Sequence, residues 1–222
     1  MRIRQLTVCI AIMAVFFNVH IWAEAVSTQK VRIETSIGDI TIEVYVDQAP
    51  LTSAYFLDMV EEGRYNGGRF YRSTPLNKTQ GPKLIQGGMM YAQLVTSTAS
   101  EIINTNEQTG AAIKLLNTIE TTEVTGLRHA EATVSFARDL YNTTAVIPEI
   151  FICLGDFPEL DVNGRSWPDV QGFPAFGKVV EGLEVVREIS ERNVGGDTHI
   201  DRLKGQILSD PIMITRVITI TN

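Results

Sequence analysis

Alternation of apolar and polar side chains marks the first element pair. In "VRIETSIGDITIEVY", residues 31–45, every second position is apolar on both sides of Ile37-Gly38-Asp39, the signature of a β-hairpin turning at a glycine. The period then changes. "LTSAYFLDMVEEG" places Phe56, Met59 and Val60 on one helical face, with Thr52 or Ser53 as the expected N-cap after Pro50 and Gly63 as the stop. Short strand-like runs follow, "RFYR", "KLIQ", "ATVSFA", "EIFICL" and "PAFGKVV", each beside turn residues. "EGLEVVREISER" returns to helical spacing through Leu183, Val186 and Ile189, and "PIMITRVITI" closes the chain as a strand.

Many short strands and two well-separated helices predict a mainly β fold. Closing the sheet into an antiparallel barrel removes its edges. Two stretches do not fit regular elements. Residues 91–126 are long and Thr/Asn-rich, with one helical turn expected in "AAIKLLN", and 161–172, "DVNGRSWPDVQG", reads as a Gly/Pro loop. Loops of this length inside a compact domain are usually functional rims or mobile segments.

The 222-residue chain opens on a different kind of segment. Arg2 and Arg4 precede an apolar run from Leu6 to Phe17, and Ala23-Glu24-Ala25 offers an A-x-A cleavage site. Residues 1–25 are therefore expected to be a cleaved signal peptide, leaving one domain over 26–222 and a periplasmic or secreted protein. The run is too short to span a bilayer, which takes about 20 apolar residues. Formal net charge is −7, and cleavage would remove one positive charge net. That sign opposes nucleic-acid binding, and no Lys/Arg cluster offsets it. After cleavage Cys153 stands alone, so no internal disulfide is expected; within "IFICL" it reads as core rather than as a nucleophile. His129 and His199 make no metal site at ligand spacing, and no metal or cofactor is expected. The sequons at Asn77 and Asn142 read as chance occurrences in polar loops.

The candidate chemistry lies in "FYR" and "IQGG". Arg72 is wedged among aromatic and small residues, and Gln86, at a strand position that reads as inward, needs a polar partner. Together with "TGLRHAEATVSFAR", "IFICLGDFPELD" and "FGKVVEGLEVV", these blocks stand in the order and approximate spacing of the cyclophilins, the peptidyl-prolyl cis-trans isomerases. The chain resembles that family, in a bacterial exported branch, over about residues 30–220. The resemblance implies a closed eight-stranded antiparallel barrel capped by two helices. A groove on one face would take proline-containing peptides and unfolded exported proteins.

It also implies site residues: Arg72 as the catalytic group, Leu84, Phe151 and Leu160 as the proline pocket, Ala137 as its floor and Gln86 as the backbone-orienting amide. Glu149 and Phe173 fall at positions that would complete the groove. Departures from the family pattern are Tyr71 for a histidine, Glu159 for an aromatic, Arg138 for an asparagine, Glu149 for a glutamine and Phe173 for a histidine. An insertion, "TPLNKTQGPK", leaves Lys83 near the place of a pocket phenylalanine, and Trp167 is a candidate replacement for lost apolar wall. The rim is thus altered, and cyclosporin-type ligands are expected to bind poorly. The expected form is a monomer that meets no membrane once the signal is removed. The alternative is a proline-peptide binding module or holdase chaperone on the same scaffold, with weak or no catalysis.

In that chemistry an X–Pro bond turns over a barrier of about 20 kcal/mol. Twisting returns a lone pair to the prolyl nitrogen, so a fixed donor aimed there favours the transition state over both planar ground states. Reaching milliseconds from tens of seconds takes ~5–6 kcal/mol. One charge-assisted hydrogen bond supplies ~1.5–3 kcal/mol, so the pocket that seats the ring must contribute the rest.

Overall fold

The computed structural model describes residues 27–75, 81–91, 115–138, 145–166 and 169–220. The signal segment, both sequons, Trp167, half of the insertion and most of "AAIKLLN" lie outside these residues.

Eight strands form a closed barrel: β1 Gln29–Thr35, β2 Gly38–Val44, β3 Arg69–Pro75, β4 Lys83–Gly88, β5 Thr133–Arg138, β6 Val146–Leu154, β7 Ala175–Glu181 and β8 Ile207–Ile220. They neighbour one another in the order β1-β2-β7-β5-β6-β4-β3-β8, and every pairing is antiparallel. The β1–β2 hairpin pairs from Gln29 with Val44 to Thr35 with Gly38, as the alternation anticipates. The last strand begins four residues earlier than its alternation suggests. Pro211 is accommodated where β8 jumps register against β3, so its missing N–H costs no ladder bond there.

Helix α1, Pro50–Glu61, follows the end of β2, while α2, Leu183–Ser190, lies against its start. The two therefore cap opposite mouths. Phe56 of α1 sits 4.9 Å from Phe176 and 6.1 Å from Phe136, both rings of the barrel interior. Val186 and Ile189 of α2 are fully buried in the same core.

The N-cap expected at Thr52 or Ser53 is not there. Pro50 occupies the first helical turn, where its missing N–H costs nothing. Thr52 is instead inside the helix and buried. Glu120, far along the chain, does the capping: its carboxylate accepts from Leu51 N at 3.1 Å, Thr52 N at 2.6 Å and Thr52 Oγ1 at 2.6 Å. Gly63, at φ +66°, ends the helix as expected. Residues 115–126 carry a bridge between Leu116 and Val146 and a single helical turn at Thr122–Thr125, which the sequence did not suggest.

Apolar residues divide into two compartments. The larger fills the barrel and includes Ile85, Val134, Phe136, Ile150 and Ile152. The smaller comprises Leu84, Phe151, Cys153, Phe157 and Leu160, with Phe173 packed against it. Neighbouring strand residues point to opposite faces, so the second cluster lies on the outer side of β4 and β6. Gln86, next to Ile85, shares that outer face, which corrects the inward reading of its position.

Candidate functional site

Strand register builds the site. Arg72 on β3 pairs with Gln86 on β4, Gln86 with Phe151 on β6, and Phe151 with Ser135 on β5. These four form one row across the outside of the barrel. Leu84 pairs with Cys153 in the adjacent row, which brings the small apolar cluster against the same surface.

Two amides hold the guanidinium of Arg72. Nη1 donates to Gln86 Oε1 at 2.7 Å, while Nε and Nη2 donate to Gln206 Oε1 at 2.9 and 2.6 Å. Three of the five N–H groups are thereby committed, and two have no partner among the described residues. Burial lowers the Arg72 pKa to about 10, with Arg202 nearby acting in the same direction, so the group stays cationic at neutral pH. Gln206 was not visible from sequence. It lies 134 residues from Arg72 and carries no motif.

Leu84, Phe151 and Leu160 are all nearly fully buried in the one cluster. Phe173 meets Phe151 edge to face with centroids 5.5 Å apart, and its backbone N–H donates to Leu160 O at 3.0 Å. Ala137, also buried, stands two residues beyond Ser135, at the bulge where β5 shifts against β6. Arg138 is tied to Asp169 and to Gly172 O, and Arg165 lies over the Phe173 ring at 4.5 Å. The departures at 138 and 173 thus build a cation-backed aromatic wall. Lys83 reaches away from it, to Glu191 at 2.9 Å.

Glu149 sits behind this surface. Its Oε1 accepts from Met89 N at 2.7 Å and Met90 N at 2.9 Å, and burial raises its pKa to about 7.

Sequence reasoning gave His129 no role. The imidazole stacks on Phe151 with centroids 5.7 Å apart, its Nδ1 lies 2.8 Å from Asp161 Oδ1, and its Nε2 lies 3.1 Å from Ser135 Oγ. The order resembles a hydrolytic triad, but His129 is 2% exposed and Ser135 0%. With no access for a substrate, the three residues brace Phe151 from behind. Cys153 is likewise fully buried, and burial pushes its thiol up, which removes the thiolate a nucleophile needs.

A guanidinium clamped beside an apolar cluster on a closed barrel narrows the field, and comparison with known proteins decides it. Residues 30–217 match the family model "Cyclophilin type peptidyl-prolyl cis-trans isomerase/CLD". The chain is a cyclophilin. It is 30% identical over 174 residues to peptidyl-prolyl cis-trans isomerase A of Dickeya dadantii, covering 77% of each chain. It is 27% identical over 189 residues to isomerase B of Escherichia coli, covering 83% of this chain and 99% of the other. A Cryptosporidium parvum cyclophilin shares the fold at a TM-score of 0.61 and 19% identity, covering 88% of this chain and 99% of that one. As a member of this family, the protein is a peptidyl-prolyl cis-trans isomerase. Among the described residues no group of three His, Cys, Asp or Glu could hold a metal ion.

Proposed function

We propose that this cyclophilin isomerises X–Pro bonds of exported proteins, with Arg72 stabilising the twisted amide. The observation that carries the assignment is the held guanidinium: Gln86 and Gln206 fix its plane, two of its N–H groups have no partner among the described residues, and register puts Arg72 in the same row as Phe151 of the apolar cluster, with Gln86 between them. Such a donor is aimed before the bond turns, so no reorganisation is spent in the transition state. Proline-peptide binding has support in the same fold, since the Cryptosporidium cyclophilin was also solved in the presence of the dipeptide Ala-Pro. Export rests on the N-terminal pattern of residues 1–25. No helix among the described residues is long and apolar enough to cross a membrane.

The decisive experiment measures cis-trans exchange of a short X–Pro peptide by wild type and Arg72→Ala. Loss of one charge-assisted hydrogen bond should lower kcat/KM by at least one to two powers of ten. An Arg72→Ala protein as fast as wild type would remove Arg72 from the mechanism. For export, mass spectrometry of the secreted or periplasmic protein should find Val26 as the first residue. An intact Met1 in that fraction would refute cleavage.

A further inference from the structure

Glu149 stands where the family pattern has a glutamine, and the polar chain leading to it has a fixed direction. Arg72 can only donate, so the Gln86 atom facing it is the amide oxygen. The Gln86 amide nitrogen must then donate to the Tyr71 hydroxyl oxygen, 3.0 Å away. With that oxygen accepting, the Tyr71 proton has to go elsewhere, and the group it faces is the Glu149 carboxyl. Glu149 Oε1 already accepts from Met89 N and Met90 N, and buried Oε2 has no other donor among the described residues, which leaves it to the Tyr71 hydroxyl. The carboxyl cannot swing away: a side-chain carbon at Gly88 would overlap it, so β4 has closed directly onto it.

We infer that Glu149 is a positioning residue for Arg72, acting through Tyr71 and Gln86, and that the proton on its carboxyl sets how firmly the guanidinium is held. When ionised, Glu149 accepts from Tyr71, and every bond from the cation to the anion runs the same way. When protonated, it presents a donor to Tyr71. The Tyr71 proton then loses the carboxylate as its acceptor; the Gln86 amide can replace it only by turning its oxygen to Tyr71 and its nitrogen to Arg72, donor against donor. The gain or loss of this proton is an ordinary exchange with solvent, and no bond other than O–H is made or broken.

The groups facing Glu149 allow this titration. Tyr55 of α1, Tyr65 of the turn after it and Tyr71 of β3 surround it, and all three have phenol pKa values raised by burial, so they stay neutral. The two residues after β4, Met89 and Met90, offer backbone N–H groups, Arg64 acts on Tyr55, and the other cation in the chain of contacts is Arg72 itself. With burial dominant, the Glu149 carboxyl exchanges its proton at about pH 7.

The inference rests on the assignment of Arg72, and one set of measurements separates the two. Exchange of an uncharged Ala–Pro peptide is followed by NMR from roughly pH 5 to 9 for wild type, Arg72→Ala, Glu149→Gln and Tyr71→Phe, and the Glu149 carboxyl is titrated by carbon NMR. In wild type, kcat/KM should rise roughly fivefold with pH, the worth of one neutral hydrogen bond, in step with the Glu149 titration. Glu149→Gln should be flat near the acid value, because its oxygen is taken by Met89 and Met90 and its NH2 mimics the protonated acid. Tyr71→Phe should also be flat while Glu149 still titrates, which a purely structural carboxyl would not produce. A step that survives in either variant overturns the inference, as does a flat wild-type profile with Arg72-dependent activity. Activity unchanged by Arg72→Ala overturns the site assignment, and this inference with it.

Discussion

A buried carboxyl whose pKa is raised to about 7 leaves a mark on stability as well as on rate. The folded state of Glu149 binds its proton more tightly than the unfolded chain, whose value is about 4.5. Its stabilising contribution is therefore complete below the unfolded pKa and is lost as pH rises through about 7. Chemical denaturation should show stability declining by a few kcal/mol across that window, and Glu149→Gln should remove the decline. Asp161 acts with the opposite sign. His129 and Arg128 hold its carboxyl below the usual range, against the raising effect of burial. It therefore stabilises the fold above the ordinary aspartate pKa and ceases to do so as acid protonates it. Both effects come from contacts absent in local sequence: Glu149 is legible as an unexpected acid in "PEIFICL", but the tyrosines around it arrive from α1, the following turn and β3.

At the scale of elements, α1 shows what periodicity carries and what it leaves out. The helix, its buried face and its glycine stop are all written within thirteen residues. Its cap is not, because Glu120 belongs to a segment 68 residues away that the closed barrel folds alongside it. Replacing Glu120 with alanine should destabilise the protein by ~1–2 kcal/mol, the usual worth of an N-cap, measured by urea unfolding. An unchanged midpoint would mean that water satisfies these N–H groups equally well. The site follows the same division. Arg72, Gln86 and Phe151 are legible because they fall within ordered blocks, and the register then sets them side by side. Gln206, Ser135 and the His129–Asp161 pair depend on strands meeting across the barrel, and nothing in their local spacing announces it.

For the whole molecule, two apolar compartments share the same strands with one residue separating them. Ile152 faces the barrel interior and Phe151 the outer cluster. Truncations at these neighbours should fail differently. Ile152→Ala should cost ~2–5 kcal/mol of global stability with KM for a proline peptide nearly unchanged, whereas Leu84→Ala on the outer side should raise KM. Equal effects on KM from both would show that the compartments are coupled. A mainly antiparallel sheet closed on itself was legible from the many short strand-like runs, since closure leaves no edge unpaired, whereas the count of eight strands came with the family resemblance.

The row that runs from Arg72 through Gln86 and Phe151 to Ser135 crosses three gaps between strands. With strands about 4.8 Å apart it is a ruler of about 14 Å, the length of roughly four residues of extended chain. Its Ser135 end is sealed behind Phe151, so the stretch that can meet a client runs over the two gaps from Arg72 to Phe151, about 10 Å or three extended residues, and peptides longer than that are expected to gain little affinity.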